Sequence, residues 1–149
     1  MKLRFLSDEN ELVKLFPLFI SEGKEIGVDV TKLNPDKLWS TLHICMTQAA
    51  IIVCEEEIGI FSGTMVIVPI DSYWSDEITW LNLLYYVLPE YRQSRRALQL
   101  LAAARDCARA KNIEFNINVE TLTDVERKDK LFARYGFHKR GGFYKLGDR

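Results

Sequence analysis

Cysteines, glycines and long apolar runs are scarce in this chain, and each scarcity removes a class of function. The three cysteines, Cys45, Cys54 and Cys107, are odd in number and form no C-x-x-C pair. That leaves no disulfide framework and points to a reduced, cytoplasmic compartment. His43 stands near Cys45 and Cys54, but the spacing matches no usual zinc pattern, so no metal is expected. The eight glycines build neither G-x-x-x-x-G-K-[ST] nor G-x-G-x-x-G, which removes the P-loop and the dinucleotide fingerprint. No apolar stretch approaches the roughly 20 residues that span a bilayer. The start, "MKLRFLSDENE", turns acidic after six residues, unlike a signal peptide. An excess of either charge is missing too. With 20 Lys and Arg against 21 Asp and Glu, the net charge of −1 argues against nucleic acid or a membrane surface as partner.

What is present suffices for one ordinary domain: 149 residues, 48% of them apolar, with no internal repeat and no Gly/Ser linker. A single domain over residues 1–149 is expected. "KLRFL" reads as a first strand. Ser7 reads as the cap of a helix with Asp8, Glu9 and Glu11 in its first turn, interrupted or repositioned at Pro17. Asn34 followed by Pro35 marks a second helix start, running through "DKLWSTLHICMTQ". "AAIIVCEE" and "GIFSGTMVIVPI" form an antiparallel hairpin. "ITWLNLLYYV" follows the acidic "DSYWSDE" loop and is apolar nearly throughout, as in a strand covered on both faces, and it stops before Pro89. A helix from about Ser94 to Ala110 carries a polar stripe (Arg95, Gln99, Asp106, Arg109) and many small residues on its other faces. "IEFNINVE" alternates as a strand. A last helix over about 124–135 ends at Gly136, and the closing residues read as a strand or hairpin. Strand, helix and strand over residues 78–120 make a right-handed crossover between parallel strands. The fold class is therefore α/β, with a mixed, mostly antiparallel sheet and helices on both faces.

The segment "YRQSRRAL" joins the apolar strand to the helix, and it places Arg92, Arg95 and Arg96 at a helix start. A helix N-terminus carries positive partial charge and ordinarily favours acids there. From charge alone the plain reading is solvated arginines beside Glu90. The alternative is an anion. Free N–H groups of the first turn together with guanidiniums suit phosphate oxygens, and ligands of α/β sheets collect beyond the carboxyl ends of the strands. Ser94 either caps the helix or gives its hydroxyl to the same anion.

"YYVLPEYRQSRRALQLLAAA" resembles the acyl-CoA-binding motif of the GNAT superfamily of N-acetyltransferases, and "LFARYGFHKRGGFYKL" resembles its closing motif. The family pattern is a hydrophobic strand, Pro-x-x-Arg, then [R/Q]-x-x-G-x-[G/A] opening a helix. Arg92 fills the first position and Ala97 the last, while Arg95 stands where the middle glycine is usual. In size, and in "VLPEYR", the chain resembles the short acetyltransferase-like proteins of bacteriophages. The resemblance spans nearly the whole chain. It implies acetyl-CoA, or another acyl-CoA, lying in a V-shaped gap where the strand ending at Val87 splays from residues 113–120. Backbone groups of Tyr85 and Val87 would pair with the pantetheine arm. N–H groups across Gln93, Ser94, Arg95, Arg96 and Ala97 would hold the pyrophosphate, with Arg92, Arg95 or Arg96 available to its oxygens.

The implied reaction is N-acyl transfer to an amine of a small molecule or peptide by direct attack. A backbone N–H near Val87 would stabilise the oxyanion. The tyrosine with which the family often protonates the leaving thiolate is replaced by Phe132. Tyr135 is the substitute candidate, against a reading in which its ring packs under the helix end. Asn82, the one polar residue inside "WLNLLYYV", either positions a water or the acceptor, or satisfies a backbone group in the sheet. Glu120 is the carboxylate candidate for the base, against a solvated strand end. The acidic loop, with Tyr73 and Trp74, would suit a cationic acceptor, and exposed strands suit a homodimer. The other reading keeps the fold as a CoA-binding or interaction module of weak or no activity.

Overall fold

The computed structural model describes residues 1–119, 125–141, 144, 146 and 147. Contacts divide the chain into two units, Met1–Val119 and Glu120–Arg149.

The first unit is built on a five-stranded sheet with the strands in sequence order. β1 (Lys2–Phe5), β2 (Ala50–Glu57), β3 (Ile60–Asp71) and β4 (Ile78–Val87) pair antiparallel, and β4 pairs parallel with the short β5 (Phe115–Asn116). A 3₁₀ helix, Glu9–Leu15, precedes α1 (Phe16–Glu25), and α2 (Pro35–Gln48) follows. Asp8, not Ser7, is the cap: its carboxylate accepts the Asn10 N–H at 2.9 Å. The tight first stretch has a cause in Pro17. It has no N–H to close an α-helical bond on Val13, so the chain winds as 3₁₀ and restarts as α1 with proline in its first turn. Asn34 caps α2 through the Lys37 N–H, with Pro35 at the first position.

Alternation in the strands sorts the core into two layers. Ile51, Val53, Val66, Leu84 and Tyr86 meet Leu12, Leu15, Leu18 and Leu42 of the 3₁₀ helix, α1 and α2 in one cluster. Ile52, Met65 and Ile67 have the opposite parity and share the face covered by α3 (Arg96–Ala110), whose Leu100, Leu101, Ala104 and Ala108 are buried. Full burial of each such Leu or Ile stabilises by about 1.5–3 kcal/mol.

One ion-pair cluster locks the outer strand. Arg4 of β1 donates to Glu55 of β2 at 2.8 and 3.1 Å and to Glu11 at 2.9 and 3.0 Å. Hydrogen bonds from Arg4 and then from the Gly59 N–H hold the Glu55 carboxyl at about 2, below its ordinary 4.5. A depressed carboxylate adds stability above its unfolded pKa and loses it as pH falls through the folded one. Wild-type protein should therefore lose stability as pH falls from 4.5 toward 2. Glu55→Gln should be less stable at neutral pH and flatter across that window, as read by urea unfolding at stepped pH.

In the second unit, α4 (Val125–Arg134) ends at Gly136 with φ 93°. Gly136 N–H donates to Ala133 O (3.1 Å) and Phe137 N–H to Phe132 O (2.9 Å), the double bond of a Schellman cap. Phe132 and Phe137 meet edge to face, centroids 6.0 Å apart, as the hydrophobic contact that accompanies it. The strand or hairpin expected at the very end falls largely outside the described residues.

Candidate functional site

Strand β4 changes its hydrogen-bonding edge halfway along. Trp80 N–H donates toward β5, to Glu114 O at 2.8 Å; Leu88 N–H donates toward β3, to Ser62 O at 2.8 Å. Two residues an even distance apart in a regular strand share an edge, so the alternation is reset between them. The reset is a bulge at Leu83, where pairing with β3 jumps from Ile67↔Asn82 to Val66↔Leu84. Beyond it Leu83, Tyr85 and Val87 turn their backbone groups away from β3, to the side where β5 has already ended at Asn116.

Asn82 explains that early end. Its amide imitates a peptide unit, donating to Asn118 O at 3.1 Å and accepting the Asn118 N–H at 2.7 Å. A side chain is longer than a backbone bridge, so residues 117–119 stand off from β4, and among the described residues of the strand expected over 113–120 only Phe115–Asn116 pairs as a ladder. Both hydrogen-bonding functions of Asn82 are thus engaged, and it forms the apex of a gap along β4.

The gap runs to the turn before α3. Among the described residues, the N–H groups of Gln93, Ser94, Arg95, Ala97 and Leu98 donate to no partner. Ser94 works inside the turn: its hydroxyl donates to Tyr91 O and accepts the Arg96 N–H at 3.3 Å. Tyr85 donates its phenol to Ala97 O at 2.5 Å, tying β4 to the first turn of α3.

The three arginines separate in role. Arg92 donates through Nε to Val87 O (2.9 Å) and through Nη2 to Glu25 (2.8 Å), with its guanidinium carbon 5.1 Å from the centre of the Tyr86 ring. The Glu25 bond raises the Arg92 pKa further. Arg96 donates through Nε to Glu56 at 2.6 Å, with Nη2 on the same oxygen, and lies 4.8 Å over the Tyr91 ring. Arg95, the helix cap residue, is exposed and makes no ion pair or hydrogen bond through its side chain among the described residues. It is the uncommitted cation of the turn.

Some contributors escaped the sequence reading. Gly63 of β3 lies opposite Val87, where a Cβ would stand 3.1 Å from Tyr86 O, 3.1 Å from Val87 Cγ2 and 3.4 Å from Leu100 Cδ1. Its bareness lets α3 sit close on the end of β4. A lone glycine inside a strand pattern is the available signal for such an approach. Ser21, Glu25 and Glu56 carried none. Ser21 shares a 2.6 Å hydrogen bond with the Tyr86 phenol, whose pKa burial raises.

Tyr135 is half-buried and donates its N–H to Leu131 O and Phe132 O at the end of α4; Glu120 lies outside the described residues. Burial pushes the Cys45 and Cys54 thiols up to about 11, which leaves both protonated. His43 stacks on Trp39 and sits 3.3 Å from Glu9, and Tyr73 and Trp74 stand almost wholly in solvent. Among the described residues no helix is long and apolar enough to cross a membrane.

No family model matches the chain, and no curated protein sequence does. Solved structures do. A structure described as a probable acetyltransferase superposes with a TM-score of 0.72 at 21% identity, covering 100% of this chain and 99% of that one. A predicted acetyltransferase from Clostridium acetobutylicum, solved with acetyl-CoA, gives 0.69 at 18% identity over 98% and 96% of the two chains. An aminoglycoside acetyltransferase from an uncultured soil metagenomic sample, in complex with sisomicin, gives 0.69 at 16% identity over 99% and 96%. With its mixed sheet, bulged β4 and parallel β4–β5 pair, the chain has the α/β fold shared by these acetyltransferases.

Proposed function

We propose that the chain is an acyl-CoA-dependent N-acyltransferase that moves an acetyl group from acetyl-CoA to a primary amine. The observation that carries this is the edge of β4 beyond the bulge, where backbone groups such as the Val87 N–H face away from β3, leading to the five free N–H groups of the turn. An extended pantetheine amide chain satisfies the first part as a missing strand would. A pyrophosphate satisfies the second, at the positive end of α3. Arg95 adds a free guanidinium beside those N–H groups. The solved complex of the Clostridium protein with acetyl-CoA supports the same use of the fold.

In this reading the amine attacks the thioester carbonyl directly, the C–S bond breaks, and the Val87 N–H faces the oxygen on which charge develops. Asn82 sets where the gap begins, and so how deep the thioester lies. Glu120 and Tyr135 are proposed as base and acid. The acceptor class is a cationic small molecule or peptide amine; the structural neighbour solved with sisomicin is one such case.

Phe132 favours a second reading. It stands where the resemblance expects a tyrosine, and its ring packs on Phe137. A CoA-binding module without turnover would tolerate that. Thiol release from acetyl-CoA across polyamines, aminoglycosides and lysine peptides separates the two. Amine-dependent release supports the transferase, binding with no release supports the module, and neither binding nor release refutes both.

A further inference from the structure

The two committed arginines flank the turn, and each reaches a carboxylate on a different element. Arg92 goes to Glu25 at the end of α1, 67 positions away, and Arg96 to Glu56 at the end of β2, 40 positions away. Each guanidinium is also laid on an aromatic ring. Between these fixed points the turn has little of its own to hold it: the Arg92 N–H bond to Pro89 O at 3.3 Å and the Ser94 hydroxyl. A segment so poor in internal bonds is ordered by what grips its ends.

We propose that Glu25 and Glu56 are positioning residues for the phosphate turn, an inference that rests on the acyl-CoA site above. Neither touches the ligand. Each fixes one flanking arginine, so that the free N–H groups of residues 93–98 converge before the pyrophosphate arrives, and the ordering cost is not met on binding. Arg92 does a second job, because its Nε fixes the Val87 carbonyl and with it the last peptide of β4. Arg95 stays untethered and meets the anion itself.

The two grips differ in strength. The side chains of Arg96 and Glu56 are 19% and 15% exposed, those of Arg92 and Glu25 45% and 37%. Burial pushes the Glu56 carboxyl up, but hydrogen bonds from Ser62 and Arg96 outweigh it and leave it below its ordinary value. Glu56 is therefore the stronger tether, since solvent screens the other pair.

Two readouts on Glu56→Gln, Arg96→Met, the double variant and Glu25→Gln test this. The first is backbone ¹⁵N relaxation of the ligand-free protein. Glu56→Gln and Arg96→Met should each loosen the amides of residues 93–97, and Glu25→Gln should do so less. The second is calorimetry with acetyl-CoA. Each of the first two should weaken binding about tenfold, with the double variant no worse than about the larger single effect. If Glu56→Gln leaves the turn as ordered as before, the tether is refuted. If it leaves affinity unchanged or tighter while Arg96→Met weakens it, Arg96 is a direct phosphate ligand and the proposal is wrong. Wild-type protein that binds no acetyl-CoA would sink the function proposed above, and relaxation alone would then decide whether the tether exists. Should Glu56→Gln fail to fold, Arg96→Met reads the same tether from its other end.

Discussion

Gly63→Val is expected to cost about 3 kcal/mol and to lower Tm by roughly 10 °C. The reason is local and steric. A first carbon at Gly63 already meets the Tyr86 carbonyl and a Val87 methyl at 3.1 Å, with Leu100 of α3 at 3.4 Å. Leu100 can shift; a carbonyl inside a strand cannot, and valine adds two further methyls. Either β3 parts from β4 or α3 lifts from the sheet. Lifting α3 also draws Ala97 away from the Tyr85 phenol, so acetyl-CoA affinity should fall in whatever fraction stays folded. Gly63→Ala should show the same signs at about a third of the size. Thermal unfolding followed by circular dichroism reads both. An unchanged Tm for the valine variant would mean that α3 does not lie against the sheet as described.

Arg95→Glu should separate binding from stability. Among the described residues the side chain is exposed and unpaired, so the fold loses no contact there, and an acid at a helix start is favoured by about 0.3–1 kcal/mol. Tm should hold or rise slightly. Binding should collapse. A charge-assisted hydrogen bond to phosphate contributes about 1.5–3 kcal/mol, and the variant replaces it with like-charge repulsion. Acetyl-CoA affinity should therefore drop about 100-fold or more, and Arg95→Ala should fall between, with a shallower salt dependence than wild type. A variant that binds as wild type does would remove Arg95 from the site.

How much of this was legible before the structure depends on how far apart the partners lie in sequence. The limits of β4 are the expected ones because Pro89 and an unbroken apolar run act locally. Asn34 and Pro35 mark α2 for the same reason. Pro17 was visible as a disturbance, but that it restarts a helix after a 3₁₀ turn depends on which carbonyl loses its donor. β5 came out shorter than its alternating pattern because Asn82, more than thirty residues earlier, replaces a ladder bond with a side chain. The cations of "YRQSRRAL" were legible as a group and not as individuals. Arg92, Arg95 and Arg96 look alike in sequence, and what distinguishes them is whether Glu25 or Glu56 comes within reach, which only the folded sheet decides.

The most direct measurement of the central claim is a titration of ¹⁵N-labelled protein with acetyl-CoA, followed through backbone amide shifts. The account predicts saturable binding in the micromolar range, with the largest changes at Leu83, Tyr85 and Val87 and at the amides of residues 93–98. Absence of saturable shifts at millimolar ligand, or shifts that leave β4 and the arginine turn untouched, would contradict it.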